Sequence, residues 1–153
     1  MRIALYQPDI PGNAGTLMRT AACLGVGVDV IGPCGFPMSD RALKRAGMDY
    51  LDHLSLSNHD SWQAFQNDRD AASRLVLLST KAETDYLDFA YRADDILLVG
   101  REGGGVPDDV HALADARVKV AMAPELRSLN VAQALAMVLA EALRQTDGFP
   151  KDF

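Results

Sequence analysis

The sequence predicts an α/β domain with a mainly parallel sheet and helices on both faces, and three observations carry that expectation. Strand-length apolar runs alternate with helix-like runs along the chain. One of them, within residues 95–107 (Asp-Ile-Leu-Leu-Val-Gly-Arg-Glu-Gly-Gly-Gly-Val-Pro), empties directly into a loop containing four glycines. A ligand site in an open α/β sheet lies at such a carboxyl strand end. The chain then closes with an unusually apolar helix. At 153 residues it is long enough for one domain with a real core.

The elements follow in order. Residues 3–7, 28–31, 74–79, 96–99 and 117–121 have the length and branching of strands. Helical stretches lie between them: 13–24, ended by Gly25; 40–46, with Ser39 as N-cap; and 61–67, with Trp62 and Phe65 at core-facing helical spacing. Gly25-Val26-Gly27 closes a helix and opens a strand. The last helix runs from near residue 129 to about 145, with Asn130, Gln133, Glu141 and Arg144 on one narrow stripe and Ala, Leu, Val and Met nearly everywhere else. A terminal helix in a small domain buries one face on its own sheet, so the remaining apolar surface suggests a second subunit. Complete enclosure by its own chain is the alternative. No repeat, low-complexity tract or linker interrupts the domain.

Composition excludes several classes. The N-terminal apolar run is too short for a signal peptide and no stretch approaches a membrane span, which points to the cytoplasm. Cys23, on the apolar side of a helix, and Cys34, in a Pro/Gly turn, form neither a disulfide framework nor a zinc site. His53, His59 and His111 show no ligand spacing, so no metal is expected. A formal net charge of −6 argues against coating nucleic acid by bulk electrostatics, but it leaves room for a local basic site. Acidic residues gather at Glu83, Asp85, Asp88, Asp94 and Asp95 and again at Asp108 and Asp109. Arg41, Lys44 and Arg45 share one helical face, suited either to phosphate contact or to plain solvation.

The glycine loop fails the common nucleotide patterns. Gly100, Gly103, Gly104 and Gly105 do not have dinucleotide-fold spacing, and Gly105 is followed by Val106 and Pro107 rather than by the Lys and Ser/Thr of a P-loop. What remains is a loop whose uncovered backbone lets a flat polar ligand approach closely, or a turn that needs positive φ.

Three segments together narrow the choice: Pro8-Asp9-Ile10-Pro11-Gly12-Asn13-Ala14-Gly15-Thr16-Leu17-Met18-Arg19-Thr20, Leu98-Val99-Gly100-Arg101-Glu102-Gly103-Gly104-Gly105-Val106-Pro107, and Met122-Ala123-Pro124-Glu125-Leu126-Arg127-Ser128-Leu129-Asn130-Val131. In this order and spacing they resemble the signature motifs of the SPOUT class of RNA methyltransferases. With Leu43-Lys44-Arg45-Ala46-Gly47-Met48-Asp49-Tyr50 and the minimal length, the resemblance narrows to the bacterial tRNA (cytidine/uridine-2'-O-)-methyltransferases that act at the wobble nucleotide. The resemblance implies a C-terminal trefoil knot, against the general rule of un-knotted connections. It also implies S-adenosylmethionine as cofactor, tRNA as substrate and a homodimer.

By position, the resemblance assigns Leu78, Gly100, Gly105, Val120, Met122, Ser128 and Leu129 to the cofactor. It assigns Arg41, Lys44, Arg45, Arg127 and Asn130 to the RNA, and Arg19, Asn13 and Glu102 to catalysis. A guanidinium barely deprotonates, so Arg19 is expected to orient the ribose-phosphate while the proton leaves through phosphate, water or Glu102. Asn13 and Asn130 are each also candidates to cap a helix. One departure is Ala140, which precedes Glu141 where this subgroup often has an aromatic residue. Two other classes fit the same residues: an unknotted adenine-nucleotide-binding module and a catalytically silent RNA-binding homologue.

Overall fold

The computed structural model describes residues 1–39 and 50–151. Arg41, Lys44 and Arg45 therefore lie outside the described residues. Seven strands form one sheet: β1 (Arg2–Tyr6), β2 (Gly27–Ile31), β3 (Leu56–His59), β4 (Leu75–Leu78), β5 (Thr84–Asp85), β6 (Ile96–Val99) and β7 (Ala116–Lys119). Their order is β3-β2-β1-β6-β4-β7-β5, and every pairing is parallel. Among the described residues the α-helices are α1 (Pro11–Cys23), α2 (Trp62–Asp68), α3 (Asp108–Leu113) and α4 (Val131–Gln145); the helix expected over residues 40–46 lies outside them.

Parallel strands are joined by crossovers that cover the sheet, so their side chains are buried on both faces and their sequences read as continuous apolar runs. On one face, Ile3, Leu5, Val28, Val30, Val76, Leu97, Val99 and Val118 pack against Leu17, Met18 and Ala21 of α1 and Leu135, Val138, Leu139 and Leu143 of α4. On the other, Ala4, Tyr6, Ile31, Leu75, Leu77, Ile96 and Leu98 meet Phe65 of α2 and Val110 of α3.

Local chemistry sets the boundaries. Pro11 opens α1, where its missing N–H costs nothing, and Gly25 at φ 66° follows the C-cap Leu24 before β2. Ser61 caps α2 by accepting from the Ala64 N–H at 3.2 Å. Two strands and one helix escaped the sequence reading. The edge strand β3 is Leu-Ser-Asn-His, β5 has only two residues, and α3 has six. Cys23 is exposed rather than turned to the core, because it ends α1 beyond its packed face.

Asp95 also departs from its place in a surface acidic run. It is fully buried and accepts from Arg74 Nε and Nη2, both at 2.8 Å, and from the Arg92 N–H at 2.8 Å. The forked pairing and added N–H satisfy a carboxylate that burial would otherwise penalise. Beneath the other edge, Asp29 accepts from Arg2 Nε at 2.6 Å and lies 2.8 Å from His59 Nε2. Among the described residues, no helix is long and apolar enough to cross a membrane.

Candidate active site

The register of the sheet brings the first two motif segments side by side. β1 pairs with β6, aligning Leu5 with Val99, so the chain leaving β1 runs beside the chain leaving β6. Glu102 and the first segment then bond directly: its Oε2 accepts from the Asp9 N–H at 3.2 Å, and its own N–H donates to Asp9 Oδ1 at 3.3 Å. Interaction with the adjoining Glu102 side chain, followed by backbone N–H groups and the nearby Arg101 charge, holds Asp9 below the usual carboxylate range.

Asn13 completes the junction. Its Nδ2 donates to Glu102 Oε1 at 3.1 Å, and its Oδ1 accepts from Asn130 Nδ2 at 3.0 Å. Asn130 caps α4, its Oδ1 accepting from the N–H groups of Ala132 at 2.9 Å and Gln133 at 3.3 Å. Asn13 caps nothing: Ile10 holds the N-cap position of α1, and the asparagine side chain is committed to the other two segments. A polar relay, Glu102–Asn13–Asn130, thus ties together three stretches remote in sequence.

This relay borders a cleft of about 480 Å³ at the carboxyl ends of β4, β6 and β7, within the size range of small-molecule sites. Leu78, Gly100, Gly105, Val120, Met122, Ser128 and Leu129 all line it, as do Asn13, Glu102 and Asn130. The sequence reading missed Ser79, Thr80, Lys81, His111 and Lys119, which also face it. For Ser79, Thr80, Lys81 and Lys119 the available signal was polar character inside or just after apolar strands; His111, on a six-residue helix, gave none.

The glycine loop works differently from the expectation of an uncovered backbone. Arg101 and Gly105 bond to each other, N–H to carbonyl, at 2.9 and 2.8 Å, and the Glu102 N–H is taken by Asp9. A Cβ on Gly100 would sit 2.3 Å from the Gly105 carbonyl carbon, and Gly105 itself has φ 65°. These two glycines are required for the tight loop itself. Gly104 has no protein atom within 4 Å of a built Cβ, so a side chain there enters the cleft region without disturbing the loop.

Arg19 is exposed on α1 outside the cleft lining, with its guanidinium 4.7 Å from the centroid of the Tyr50 ring. Such stacking limits its rotamers. Arg127 is exposed in the segment between β7 and α4. No group of three or more His, Cys, Asp or Glu able to hold a metal ion occurs among the described residues.

A parallel α/β domain with a strand-end cleft bordered by three hydrogen-bonded segments has the form of a small-molecule-binding site. The SpoU rRNA Methylase family model matches residues 1–140, and the chain belongs to that family. A tRNA (cytidine(34)-2'-O)-methyltransferase of Beijerinckia indica subsp. indica is 59% identical over 150 residues, covering 97% of this chain and 94% of the relative. A solved structure presented as giving structural insights into the 2-OH methylation of C/U34 on tRNA is 41% identical, with TM-score 0.86. The match covers 94% of this chain and 89% of that one. An AdoMet-bound rRNA methyltransferase from Sinorhizobium meliloti is 29% identical with TM-score 0.81, covering 94% of this chain and 55% of that one.

Proposed function

We propose that this protein methylates the ribose 2'-hydroxyl of the wobble nucleotide, cytidine or uridine 34, in tRNA, with S-adenosylmethionine as methyl donor. The observation that carries the reading is the relay Glu102–Asn13–Asn130 beside the strand-end cleft, in a chain 59% identical to a tRNA (cytidine(34)-2'-O)-methyltransferase. The residues fit the cofactor: Leu78, Val120, Met122 and Leu129 offer apolar walls for a flat heterocycle, and Ser128, Lys81 and Lys119 offer polar contacts to its charged end.

S-adenosylmethionine supplies a methyl group on a sulfonium, already activated for displacement. The protein's part is to hold the ribose oxygen in line and to assist loss of its proton. Arg19 orients the ribose-phosphate as a fixed cation, its plane set by Tyr50. Glu102, oriented by Asn13 and the Asp9 N–H, is the protein group placed to take the proton, directly or through water. Arg127, with Arg41, Lys44 and Arg45, serves the RNA backbone, which offsets the unfavourable net charge locally.

The same reading includes a single domain with a C-terminal trefoil knot, a cytoplasmic location, and a homodimer that needs no metal. Support for the dimer comes from α4, where Met137 is 41% exposed while Leu135, Val138 and Leu139 are buried. The deciding experiment incubates the protein with labelled S-adenosylmethionine and unmodified tRNA and maps the methylated ribose. Label at nucleotide 34 is the expected result. Label elsewhere in tRNA or in rRNA moves the substrate assignment, and saturable cofactor binding without transfer defeats the catalytic reading.

A further inference from the structure

We propose that Asp9 reads the base of the target nucleotide, its Oδ2 accepting from the exocyclic amino group of cytosine, so that this chain favours cytidine over uridine at position 34; this rests on the methyltransferase reading above. A second cleft, of about 460 Å³, lies against the glycine loop, with Asp9, Arg101, Gly103 and Gly104 in its lining. Arg101, Gly104 and Gly105 line the cofactor cleft as well, so the two clefts adjoin across this loop. Glu102 faces the first cleft, and Asp9, joined to it by two hydrogen bonds, faces the second. The 2'-hydroxyl and the base sit on neighbouring ribose carbons. A ribose whose hydroxyl meets Glu102 therefore carries its base into an adjoining space. The cofactor fills the first cleft, which leaves the second for the base.

Asp9 is held firmly for such a task. Its N–H and Oδ1 are committed to Glu102, and a Cβ built on Gly35 would stand 2.9 Å from its Cα and Cβ, so the turn after β2 packs directly against it. Oδ2 stays on the cleft side. It is the nearest atom to a Cβ built on Gly103, chain neighbours aside, at 4.0 Å, and Asp9 is only half-buried. The adjoining Glu102 side chain and the Arg101 charge keep its carboxyl below the usual range, so at neutral pH it can only accept. Arg101, exposed on the same cleft, can only donate. An acceptor beside a donor matches cytosine, which presents its N4 amino group next to the N3 acceptor. Uracil presents O4 next to N3–H and is reversed at both places.

Two tRNA transcripts identical except for C34 or U34 test this, with kcat/KM measured for each. Wild type should prefer C34 by about 10-fold, the size of one charged hydrogen bond gained or mismatched. Asp9→Asn keeps Oδ1 for the Glu102 N–H and presents an amide NH2 where Oδ2 stood, so the preference should vanish or turn toward U34. A purely supporting role for Asp9 would lower both rates together and leave their ratio unchanged. Gly103→Leu, which fills the second cleft from a position outside the cofactor lining, should raise KM for the C34 transcript by about 10-fold while calorimetry shows unchanged affinity for S-adenosylhomocysteine. An equal rate on both transcripts in wild type overturns the proposal, as does an unmoved ratio in Asp9→Asn. If Asp9→Asn fails to fold, an unchanged KM in Gly103→Leu overturns it alone. Wild type that methylates neither transcript overturns the reading of position 34 itself, and the assignment of Asp9 falls with it.

Discussion

Asn13 offers a test in which two isosteric side chains should behave oppositely. Replacement by Ala removes the bond to Glu102 at 3.1 Å and the one from Asn130 at 3.0 Å, while Glu102 keeps the Asp9 N–H and Asn130 keeps its capping role. The bond to Glu102 is part-buried and the one from Asn130 exposed, and such bonds contribute roughly 0.5–1.5 kcal/mol each, the exposed one toward the lower end. Better helix propensity for Ala returns about 0.5 kcal/mol. The net loss should be on the order of 1 kcal/mol, lowering Tm by about 2–4 °C. Asn13→Asp keeps the shape but places a second carboxylate 3.1 Å from Glu102 Oε1, a repulsion of about 1.3 kcal/mol even at the dielectric of water. The positive end of α1 offsets roughly 0.5 kcal/mol of it. Asp keeps the bond from Asn130 but forgoes the propensity gain of Ala, so the two variants should be destabilised by similar amounts, on the order of 1–2 kcal/mol each, for different reasons. Methyl transfer at a temperature where both are folded should fall by about 10-fold or more, because the relay aligns groups rather than merely joining segments. Thermal denaturation by circular dichroism and a labelled-methyl assay read the two quantities. An Asn13→Asp protein as stable and as active as wild type would refute the relay.

Four other outcomes follow from the same geometry. Arg19→Ala should leave folding and cofactor affinity nearly intact yet cut methyl transfer by ~100-fold, and Arg19→Lys should recover little, since an ammonium reproduces neither the fork nor the stacking on Tyr50; near-normal turnover in either variant would displace the active centre. Gly104→Val should fold normally but bind S-adenosylhomocysteine more weakly by calorimetry, because nothing in the protein lies within 4 Å of its Cβ and the residue lines the cleft. Met137→Glu should shift light scattering from dimer to monomer without unfolding; Leu139→Glu should unfold the chain instead, being 1% exposed. Hydrogen bonds from Arg144 and Gln145 push Glu141 down to about 2 from 4.5, so its ionic contribution is fully present above pH 4.5 and is lost as pH falls through 2. Arg144→Ala should bring the Glu141 titration back toward 4.5 in a carboxyl-carbon NMR titration.

The fold class was legible because parallel strands buried on both faces leave unmistakable apolar runs. β6 agrees with the sequence reading residue for residue; α1 starts two residues earlier and ends one residue earlier than expected, and α4 starts about two residues later. β3 was hidden because an edge strand needs few apolar side chains, and its Ser57, Asn58 and His59 carry no strand signal. α3 was hidden by its length, although Pro107 followed by Asp108 and Asp109 is an ordinary helix opening. In the site, the motif resemblance pointed to Asn13, Glu102 and Asn130, but not to their bonding to one another. That fact depends on sheet order, which local pattern does not encode.

Sheet order also explains why the cleft needs the whole fold. Glu102 and Asn13 are 89 residues apart, and Asn13 and Asn130 are 117 apart, yet each pair is joined by one hydrogen bond. Neither bond could hold those segments together by itself, since closing loops of that length costs several kcal/mol against roughly 1 kcal/mol gained. The alignment is instead imposed by the β1–β6 pairing and by α1 packing on α4, and the side-chain bonds only refine it. A substitution in that packing, such as Met18→Ala at a fully buried position, should therefore loosen the relay as well as the core. The site inherits its precision from the sheet, so its activity should decline with heating before global unfolding, as the contacts between α1 and α4 begin to open.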